Sequence, residues 1–295
     1  MRKILITGAS GFLGSNIVQT FGKSENILCG YKNFKPSEKN SVEIDLANLE
    51  ELKSKLNAIS PNVIVHTAAI SRPGQCLQNP ARSQLINVES TGEIADWCEQ
   101  NQSRLIFTST DMVYSGENPP YVETDQTNPV NIYGKHKVQA EQIIAKKCSK
   151  FVILRLALMY GRGIYQRDYA SQWLERDLKM KMKKRNSEPV GLYSDQIRSM
   201  IAVKNVAKII KEIVNSEHQG IFNIGGPQSI SRYDFGKELI KILDIPENLI
   251  KPIKYQKLDP KVQTPLNVSL DPDKACNSFT TPLLSVKKGL QLEYK

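Results

Sequence analysis

With 295 residues, 40% of them hydrophobic, the chain can form one large domain or two modest ones around a substantial core. Forty basic residues against thirty acidic ones give a net charge of +10, which favours anionic partners. Five widely spaced cysteines, without a CxxC pair or a Cys/His cluster, argue against a disulfide framework and a zinc site and fit a reducing cytoplasm. No apolar run reaches the roughly 18 residues of a membrane span, so no membrane is expected.

Short β-branched runs alternate with helical stretches in the first half of the chain. The predicted strands are 3–7, 26–31, 41–45, 63–68, 104–110 and 151–158, and the predicted helices are 12–22, 49–59, 82–101 and 132–148. This alternation predicts a doubly wound α/β fold of the Rossmann type, with a parallel sheet covered on both faces. Only about ten residues separate the second and third strands, so a loop or short turn is expected in place of a crossover helix.

Beyond Gly163 the regular alternation ends. The sequence predicts a basic helical stretch, a strand followed by a helix, another strand and short irregular elements: 164–197, 198–216, 220–226 and the tail from Pro246. We therefore expect a Rossmann domain at residues 1–163 and a smaller substrate domain at residues 164–295. Residues 198–219 are expected to return to the Rossmann domain.

The densest basic patch is LKMKMKKRN, residues 178–186, with five basic side chains. A solvated helix end explains it better than nucleic-acid binding, because no RNA- or DNA-binding motif accompanies it. A small substrate that carries phosphate would explain the excess positive charge equally well. We therefore expect no nucleic-acid partner.

A glycine motif, TGASGFLG at residues 7–14, joins the first predicted strand to the first predicted helix. Gly8, Gly11 and Gly14 permit a tight turn that brings the backbone amides of a helix N-terminus close to a pyrophosphate. A glycine triplet alone is weak evidence. Between a strand and a helix of an alternating chain, it predicts dinucleotide binding rather than a purely structural turn.

The end of the second strand indicates which dinucleotide is expected. An adenosine ribose with free hydroxyls is normally held by an acid about 20 residues beyond the glycines, but this segment offers Tyr31, Lys32 and Asn33. Lys32 suits a 2′-phosphate, so NADP(H) is favoured. NAD(H) is the alternative, in which Lys32 only points into water. Asp45, which ends the third strand, is placed to accept a hydrogen bond from the adenine amine.

The segment NIYGKHKVQAE, residues 131–141, places Tyr133 four residues before Lys137 on a predicted helix, so the two side chains share one face. Bringing the phenol pKa from about 10 to near neutrality requires roughly 4 kcal/mol. An ammonium group about 4 Å away supplies that much only in a sheltered site. A YxxxK pair is common by chance, and a surface tyrosine stacked on a lysine stem is the alternative interpretation.

With these parts the chain resembles the extended short-chain dehydrogenase/reductases over nearly its whole length. The family's TGxxGxxG, adenine-contacting Asp, strand-end Ala-Ala and YxxxK motifs all occur here in order. The resemblance implies the following cofactor-binding residues: Thr7, Gly8, Gly11, Phe12, Leu13, Gly14, Tyr31, Lys32, Asp45, Leu46, Ala68, Ala69, Tyr133 and Lys137.

The resemblance also implies catalytic roles. Thr110, after the fifth strand, would hold the substrate oxygen beside Tyr133. Lys137 would bind the nicotinamide ribose and depress the pKa of Tyr133. Asn87, in LINVESTG, matches the family's helix asparagine, which supports the site and its water.

The three histidines are not expected to take part. His136 lies within the YxxxK segment but is rotated away from the tyrosine and the lysine, so a solvated histidine is expected. His66, at a strand end, and His218, before a turn, lack other metal ligands nearby in sequence. No metal site is predicted.

The run after the fifth strand indicates the branch of the family. Sugar-nucleotide dehydratases carry Thr-Asp-Glu there, whereas this chain has Thr110, Asp111 and Met112, and methionine cannot serve as an acid or a base. Dehydration is therefore disfavoured. The ordered segments STDMVYSG, PYVETD and PVNIYGKHK, with SRYDFG and PLNVSLD further on, instead resemble dTDP-4-dehydrorhamnose reductases.

That branch implies hydride transfer from NADPH to a keto carbon of a nucleotide-linked sugar, with Tyr133 protonating the alkoxide. The implied substrate-binding residues are Thr110, Asp111, Met112 and Arg198. Arg198, in DQIRSM, matches the family arginine that contacts the diphosphate, although an ion pair with a nearby Asp is the alternative. The reductases usually carry QxGxPT here, and its absence leaves the sugar and the nucleotide open.

Two other functions stay open. One is a nucleotide-sugar epimerase that keeps NAD tightly bound between half-reactions. The other is a non-catalytic regulatory subunit, because AAISRPGQCLQNPARSQLINV also resembles the beta subunit of methionine adenosyltransferase. The intact Tyr133 and Lys137 do not exclude this role, since such subunits can keep the pair. A homodimer is a further expectation.

Overall fold

The computed structural model describes residues 2–22, 26–37, 40–165, 170–184, 188–255 and 263–295. The strands are β1 (Lys3–Thr7), β2 (Asn26–Tyr31), β3 (Ser41–Glu43), β4 (Val63–His66), β5 (Arg104–Thr110), β6 (Phe151–Leu156), β7 (Met159–Tyr160), β8 (Val190–Tyr193), β9 (Ile197–Arg198), β10 (Ile201–Ala202), β11 (Gly220–Ile224), β12 (Ile230–Ser231) and β13 (Ile250–Ile253). The helices are α1 (Phe12–Phe21), α2 (Leu49–Ile59), α3 (Pro73–Gln78), α4 (Pro80–Gln84), α5 (Ser90–Gln100), α6 (Ile132–Lys147), α7 (Ala170–Lys183), α8 (Val203–Val214), α9 (Arg232–Leu243), α10 (Asp273–Ser278) and α11 (Val286–Tyr294). None of these described helices has both the length and the apolar character needed to cross a bilayer.

Within the described residues, seven strands form one parallel sheet in the order β11-β6-β5-β4-β1-β2-β3. The direction in which strands are added reverses between β1 and β4. In such sheets, ligands bind beyond the carboxyl ends of the strands at this point of reversal. The doubly wound Rossmann fold predicted from the sequence is confirmed.

Helices cover both faces of the sheet. On one face, Ile17 of α1 and Ile210 of α8 pack in one apolar cluster with Ile4 of β1. On the other face, Leu56 of α2 packs in a second cluster with Leu5 of β1. Ile4 and Leu5 point to opposite faces because side chains alternate along a strand, so a continuous apolar run suits a strand buried on both sides.

The six strands predicted in the first half all form, and three of them end earlier than predicted, at Glu43, His66 and Leu156. The described residues between β2 and β3 form no helix, as expected. The single helix predicted at 82–101 is instead α4 and α5 joined by a π-helical turn at Leu85–Glu89.

The prediction of one helical stretch over residues 164–197 is wrong in its last part. Helix α7 forms, but β8 follows Pro189, which cannot continue a helix. Val190 and Leu192 of β8 are buried in a third apolar cluster, and β8 pairs with β13. The tail from Pro246 is also more regular than expected, because it contains β13 and the nine-residue helix α11.

Helix α8 and strand β11 lie in the layers of the large sheet although they come late in the chain. Strand β11 pairs with β6 at the sheet edge, and α8 packs on α1. The division into two domains at residue 163 stays a prediction.

Helix α7 carries residues 178–183 of the basic patch, and one of their basic side chains is paired with an acid. The ammonium of Lys179 lies 2.8 Å from Glu175 Oε1. Met180 and Met182, on the same helix, are about half exposed. Arg185 and Asn186, the last residues of the predicted patch, lie outside the described residues.

Candidate active site

A cavity of about 690 Å³ follows the carboxyl edge of the sheet from β2 to β6. Its volume is in the range of cofactor and ligand sites. Most of the predicted site residues line it: Thr7, Gly8, Gly11, Phe12, Leu13, Tyr31, Lys32, Asp45, Leu46, Ala68, Ala69, Thr110, Asp111, Met112, Tyr133, Lys137 and Arg198. Gly14 and Asn87 are not part of the lining. The roles of all these residues stay predictions.

The glycine motif brings β1 and α1 into close backbone contact. Gly8 has a φ of 68°, in the left-handed region that favours glycine, and its carbonyl accepts a 2.8 Å hydrogen bond from the Gly11 amide. A Cβ on Gly14 would overlap the Gly8 carbonyl, so Gly14 acts by letting the helix pack on the turn. Gly11 begins α1 without a side-chain cap, and the helix N-terminus therefore meets the cavity with backbone groups that suit an anion.

At the β2 end of the cavity, Lys32 and Asp45 form an ion pair with each other. The sequence assigns Lys32 to the 2′-phosphate of a dinucleotide and Asp45 to its adenine amine. The hydrogen bond from Lys32 holds the pKa of Asp45 below its usual range, and the Ala47 amide donates a 3.0 Å hydrogen bond to Asp45 Oδ1. A ligand at this end would meet a lysine whose charge is already partly balanced.

The strand-end alanines lie directly against the glycine motif. A Cβ added to Gly8 would lie 2.9 Å from the Ala68 backbone, which explains why that position requires glycine. The Ala68 amide also lies 3.4 Å from Thr7 Oγ1. Ala69 follows on the cavity wall, so the ends of β1 and β4 form one continuous surface.

His66 is a buried link between β1, β4 and α5. Its Nδ1 lies 2.7 Å from Thr7 Oγ1, and its Nε2 lies 3.2 Å from Thr91 Oγ1. Burial, together with the charge of Lys137, lowers the pKa of His66 to about 3, so the imidazole is neutral. The described residues contain no group of three or more His, Cys, Asp or Glu side chains that could hold a metal ion.

Helix α6 begins where Tyr133 can reach the end of β5. Asn131 caps the helix, because its Oδ1 accepts a 2.9 Å hydrogen bond from the Gly134 amide. A Cβ on Gly134 would overlap the Met112 carbonyl, so glycine lets the helix pack directly on the turn after β5. Tyr133 is thereby buried in the same cavity wall as Thr110.

The ionisation of the Tyr133 and Lys137 pair is governed by burial. Lys137 Nζ donates a 2.8 Å hydrogen bond to the Thr108 carbonyl, and burial lowers the pKa of Lys137 to about 7. Burial also raises the pKa of Tyr133 well above its ordinary value, and Asp111 and Cys76 act in the same direction. This differs from the expectation that Lys137 lowers the pKa of Tyr133. The phenol stays protonated at neutral pH and can therefore donate a proton.

A buried ion pair fixes α6 to the sheet one turn beyond Lys137. Arg155 Nη2 lies 2.8 Å from Glu141 Oε2, and both side chains are only 5% exposed. Arg155 also donates a 2.7 Å hydrogen bond to the Tyr114 hydroxyl, and Ser109 donates one to Glu141. These contacts join α6 to β5 and β6, which sets the position of Lys137.

Asn87 lies in the π-helical turn behind the cavity wall. Its Oδ1 accepts a 2.8 Å hydrogen bond from the Ile70 amide, and its Nδ2 donates a 2.9 Å hydrogen bond to the Ile70 carbonyl. The side chain thus pins the segment after β4, where Ala68 and Ala69 line the cavity.

The prediction that His136 is solvated is wrong. The residue is only 5% exposed, and its Nδ1 lies 2.9 Å from Ser83 Oγ. Ser83 in turn accepts a 3.2 Å hydrogen bond from Asn87 Nδ2. The physical reason is that α4 packs on α6 and covers a side that an isolated amphipathic helix would expose to water. Burial lowers the pKa of His136.

Arg198 lines the cavity, but its guanidinium group already makes hydrogen bonds and an ion pair within the protein. It is 1% exposed and donates hydrogen bonds to the carbonyls of Ile197, Pro265 and Leu266. Its Nε lies 3.6 Å from Asp111 Oδ2, so the ion pair that the sequence left as the alternative is present. Burial raises the pKa of Asp111, while the charge of Arg198 opposes that change.

Sequence reasoning missed two arginines that line the cavity, Arg82 in α4 and Arg232 at the start of α9. Arg232 belongs to the SRYDFG segment, whose resemblance to the reductases was the available signal. Nothing in a single sequence indicates that α9 begins at the cavity, because that follows from the pairing of β12 with β9.

Comparison with known proteins places the chain among its relatives. It is 27% identical over 280 residues to methionine adenosyltransferase 2 subunit beta of Mus musculus, covering 92% of this chain and 81% of that protein. It is 26% identical over 271 residues to the probable low-salt glycan biosynthesis reductase Agl14 of Haloferax volcanii, covering 90% of this chain and 88% of that protein.

Among solved structures, the fold is similar to dTDP-4-dehydrorhamnose reductase from Bacillus anthracis in complex with NADP, with a TM-score of 0.85 and 22% identity over 99% of this chain and 98% of that one. The family model of the RmlD substrate binding domain matches residues 1–294. The chain therefore belongs to the RmlD substrate binding domain family, in the dTDP-4-dehydrorhamnose reductase-like branch of the extended short-chain dehydrogenase/reductases, as the order of its motifs predicts.

Proposed function

We propose that this protein is an NADPH-dependent reductase of a keto sugar in nucleotide-linked form. One observation carries the proposal: Thr110, Tyr133 and Lys137 lie in the wall of the same cavity as the glycine motif, and all three are buried. A proton donor beside a dinucleotide site is the arrangement that carbonyl reduction requires. Membership of the RmlD family supports the same reaction class.

The residues present fit a dinucleotide. The turn at Gly8 and the uncapped start of α1 offer backbone groups to a pyrophosphate, and a Cβ at Gly14 would break this contact. The end of β2 carries Lys32 where an acid would read the ribose hydroxyls of NAD. We therefore favour NADP(H), with NAD(H) as the alternative. The NADP complex of the Bacillus anthracis reductase supports this choice.

The chain's own groups would perform the proton transfer. The nicotinamide, when bound, supplies the hydride. Tyr133 holds its proton at neutral pH and can deliver it to the alkoxide, while Thr110 would orient the keto oxygen. Lys137, with a pKa of about 7, can hydrogen-bond to a ribose hydroxyl in either protonation state. Met112 follows Asp111 and cannot exchange a proton, so dehydration is not part of the proposal.

A nucleotide-linked sugar is the proposed substrate class, without a choice of sugar or base. The positive net charge suits such an anion. The absence of a nucleic-acid partner, the homodimer and the cytoplasmic location remain expectations from the sequence.

A regulatory subunit is the second candidate, favoured by one specific observation. The relatives include methionine adenosyltransferase 2 subunit beta from several vertebrates, at 26–27% identity over 92% of this chain. The regulatory-subunit hypothesis predicts a stable complex with a second protein and no turnover of any keto sugar. A tightly held NAD that copurifies, without net consumption of NADPH, would instead indicate an epimerase.

The test is a screen of nucleotide-linked keto sugars that follows NADPH absorbance. We expect turnover with at least one of them, and we expect Tyr133→Phe to abolish it while NADPH affinity stays nearly unchanged. Tyr233→Phe is the matched control, because Tyr233 is half-buried and outside the cavity lining. Full activity in Tyr133→Phe would refute the assigned proton donor.

A further inference from the structure

Arg232 lies in the wall of the cavity, and the described residues provide no hydrogen-bond acceptor for its Nε. Its Nε is buried and makes no hydrogen bond, and it forms no ion pair with a described residue. Over 90% of buried polar groups in proteins are satisfied, so an unpartnered one at a cavity wall indicates a ligand. Burial and the nearby charge of Arg198 both lower the pKa of Arg232, while the charge of Asp111 opposes that change.

A second unpartnered atom lies in the same wall. Asp111 Oδ2 is buried and accepts no hydrogen bond from the described residues, since Arg198 Nε at 3.6 Å is within ion-pair distance but too far for a hydrogen bond. Asp111 is 3% exposed and immediately follows Thr110. Its charge acts on Tyr133, so this part of the cavity adjoins the reacting centre.

The charges in this part of the cavity do not balance. Among the described side chains there, Asp111 interacts electrostatically with two guanidinium groups, those of Arg198 and Arg232. Arg198 is committed to Asp111 and to three backbone carbonyls. The positive charge left without a counterpart is therefore that of Arg232.

We propose that Arg232 binds an oxyanion of the substrate, the phosphate that links the sugar to the nucleotide, while Arg198 holds Asp111 in place. The inference rests on the proposed function for the identity of this substrate. A guanidinium group offers a planar fork that matches two phosphate oxygens. The dinucleotide pyrophosphate would lie at the glycine motif and the 2′-phosphate near Lys32, so an anion at Arg232 belongs to the substrate. The net charge of +10 favours a diphosphate over a single carboxylate.

The test uses the full chain with NADPH and measures the binding of UDP and dTDP by calorimetry. We expect Arg232→Gln to weaken the binding of whichever diphosphate binds more tightly by about 10- to 100-fold, which is the range for a hydrogen bond to a charged group. Arg232→Lys should recover part of the loss, because it restores the charge without the fork. Lys241→Gln, which removes an exposed charge from the same helix, should bind as the unmodified chain does.

Melting temperature separates this role from a structural one. Because the described residues form no hydrogen bond or ion pair with the Arg232 side chain, Arg232→Gln should leave the melting temperature unchanged or raise it, whereas loss of a structural arginine would lower it. NADPH affinity should not change. If Arg232→Gln does not fold, Arg232→Lys must still show reduced affinity with an unchanged melting temperature.

Three results would overturn the inference. The first is equal nucleoside diphosphate affinity in the Arg232 variants and the unmodified chain. The second is no binding of either diphosphate at millimolar concentration. The third is an Arg232-dependent affinity for glucuronic acid but not for UDP or dTDP, which would assign a carboxylate. Arg232-dependent diphosphate binding without turnover of any keto sugar would support this inference and contradict the proposed reductase function.

Discussion

Replacing Lys137 by methionine should stabilise the protein at pH 6 while abolishing its activity. Lys137 is 2% exposed and its pKa falls from 10.5 to about 7, chiefly through burial. That fall corresponds to about 5 kcal/mol of unfavourable free energy when the buried amine is charged. Methionine has a similar volume and no charge. The variant loses the hydrogen bond to the Thr108 carbonyl, which costs about 1–3 kcal/mol, so a net gain of about 2–4 kcal/mol remains at pH 6.

The sign of this effect should change with pH. Between pH 7 and pH 10.5 the unfolded chain keeps the Lys137 proton that the folded chain has lost, so the stability of the unmodified protein rises with pH across this window. Below pH 7 both states are protonated and the full cost is present. Above pH 10.5 the amine is neutral in both states, so burying it no longer costs the unmodified protein stability. The variant is then less stable by the lost hydrogen bond alone. The two stability curves should therefore cross near about pH 9.

Thermal unfolding at pH 6 and pH 10, without nucleotide, is the assay. For 295 residues the expected gain at pH 6 is about 3–6 °C, and at pH 10 the variant should melt below the unmodified protein. Lys135→Met is the control, because Lys135 is exposed on the same helix and should show no such pH dependence. Lys137→Met melting well below the unmodified protein at pH 6 would contradict the burial argument. Saturating NADPH should narrow the difference if Lys137 contacts the nucleotide.

Three further substitutions test the elements that position the site. Gly14→Ala should abolish NADPH binding and cost at least about 2 kcal/mol, because the added Cβ overlaps a backbone carbonyl; an NADPH titration and a melting curve check both. Arg155→Leu should destabilise by about 3–5 kcal/mol in urea, and adding Glu141→Leu should recover much of that, since the loss comes from an uncompensated buried carboxylate. His136→Ala should cost about 1–3 kcal/mol because the Ser83 hydroxyl loses the imidazole and keeps only its hydrogen bond from Asn87, whereas His136→Asn should retain most of the stability because its amide can replace Nδ1.

The Rossmann half of the fold could be predicted because its signals are local. Each buried strand is a short apolar run, and the glycine motif stands between β1 and α1. The YxxxK spacing likewise placed Tyr133 and Lys137 on one face of a helix, and both line the cavity. Element ends were less accurate, since the last residues of a strand depend on how far its neighbours extend.

The features that could not be predicted depend on distant parts of the chain. Strand β8 is stabilised by pairing with β13, about 60 residues later, and no periodicity within residues 164–197 reveals that partner. His136 is buried because Ser83, on a separate helix, packs against it. The pKa of Tyr133 depends on how deeply α6 packs on the turn after β5, and spacing alone says nothing about burial.

Three polar groups of the cavity wall explain how one region can lower the stability of the free protein and still serve ligand binding. Among the described residues, Lys137 is a buried amine that forms no ion pair, Asp111 Oδ2 accepts no hydrogen bond and Arg232 Nε donates none. The buried charges of Arg155 and Glu141, in contrast, satisfy each other in an ion pair. A ligand that supplies a ribose hydroxyl, a sugar hydroxyl and a phosphate would satisfy all three groups at once. Binding would then be driven by contacts that the free protein lacks, and the same substitutions that stabilise the free protein should weaken its complexes.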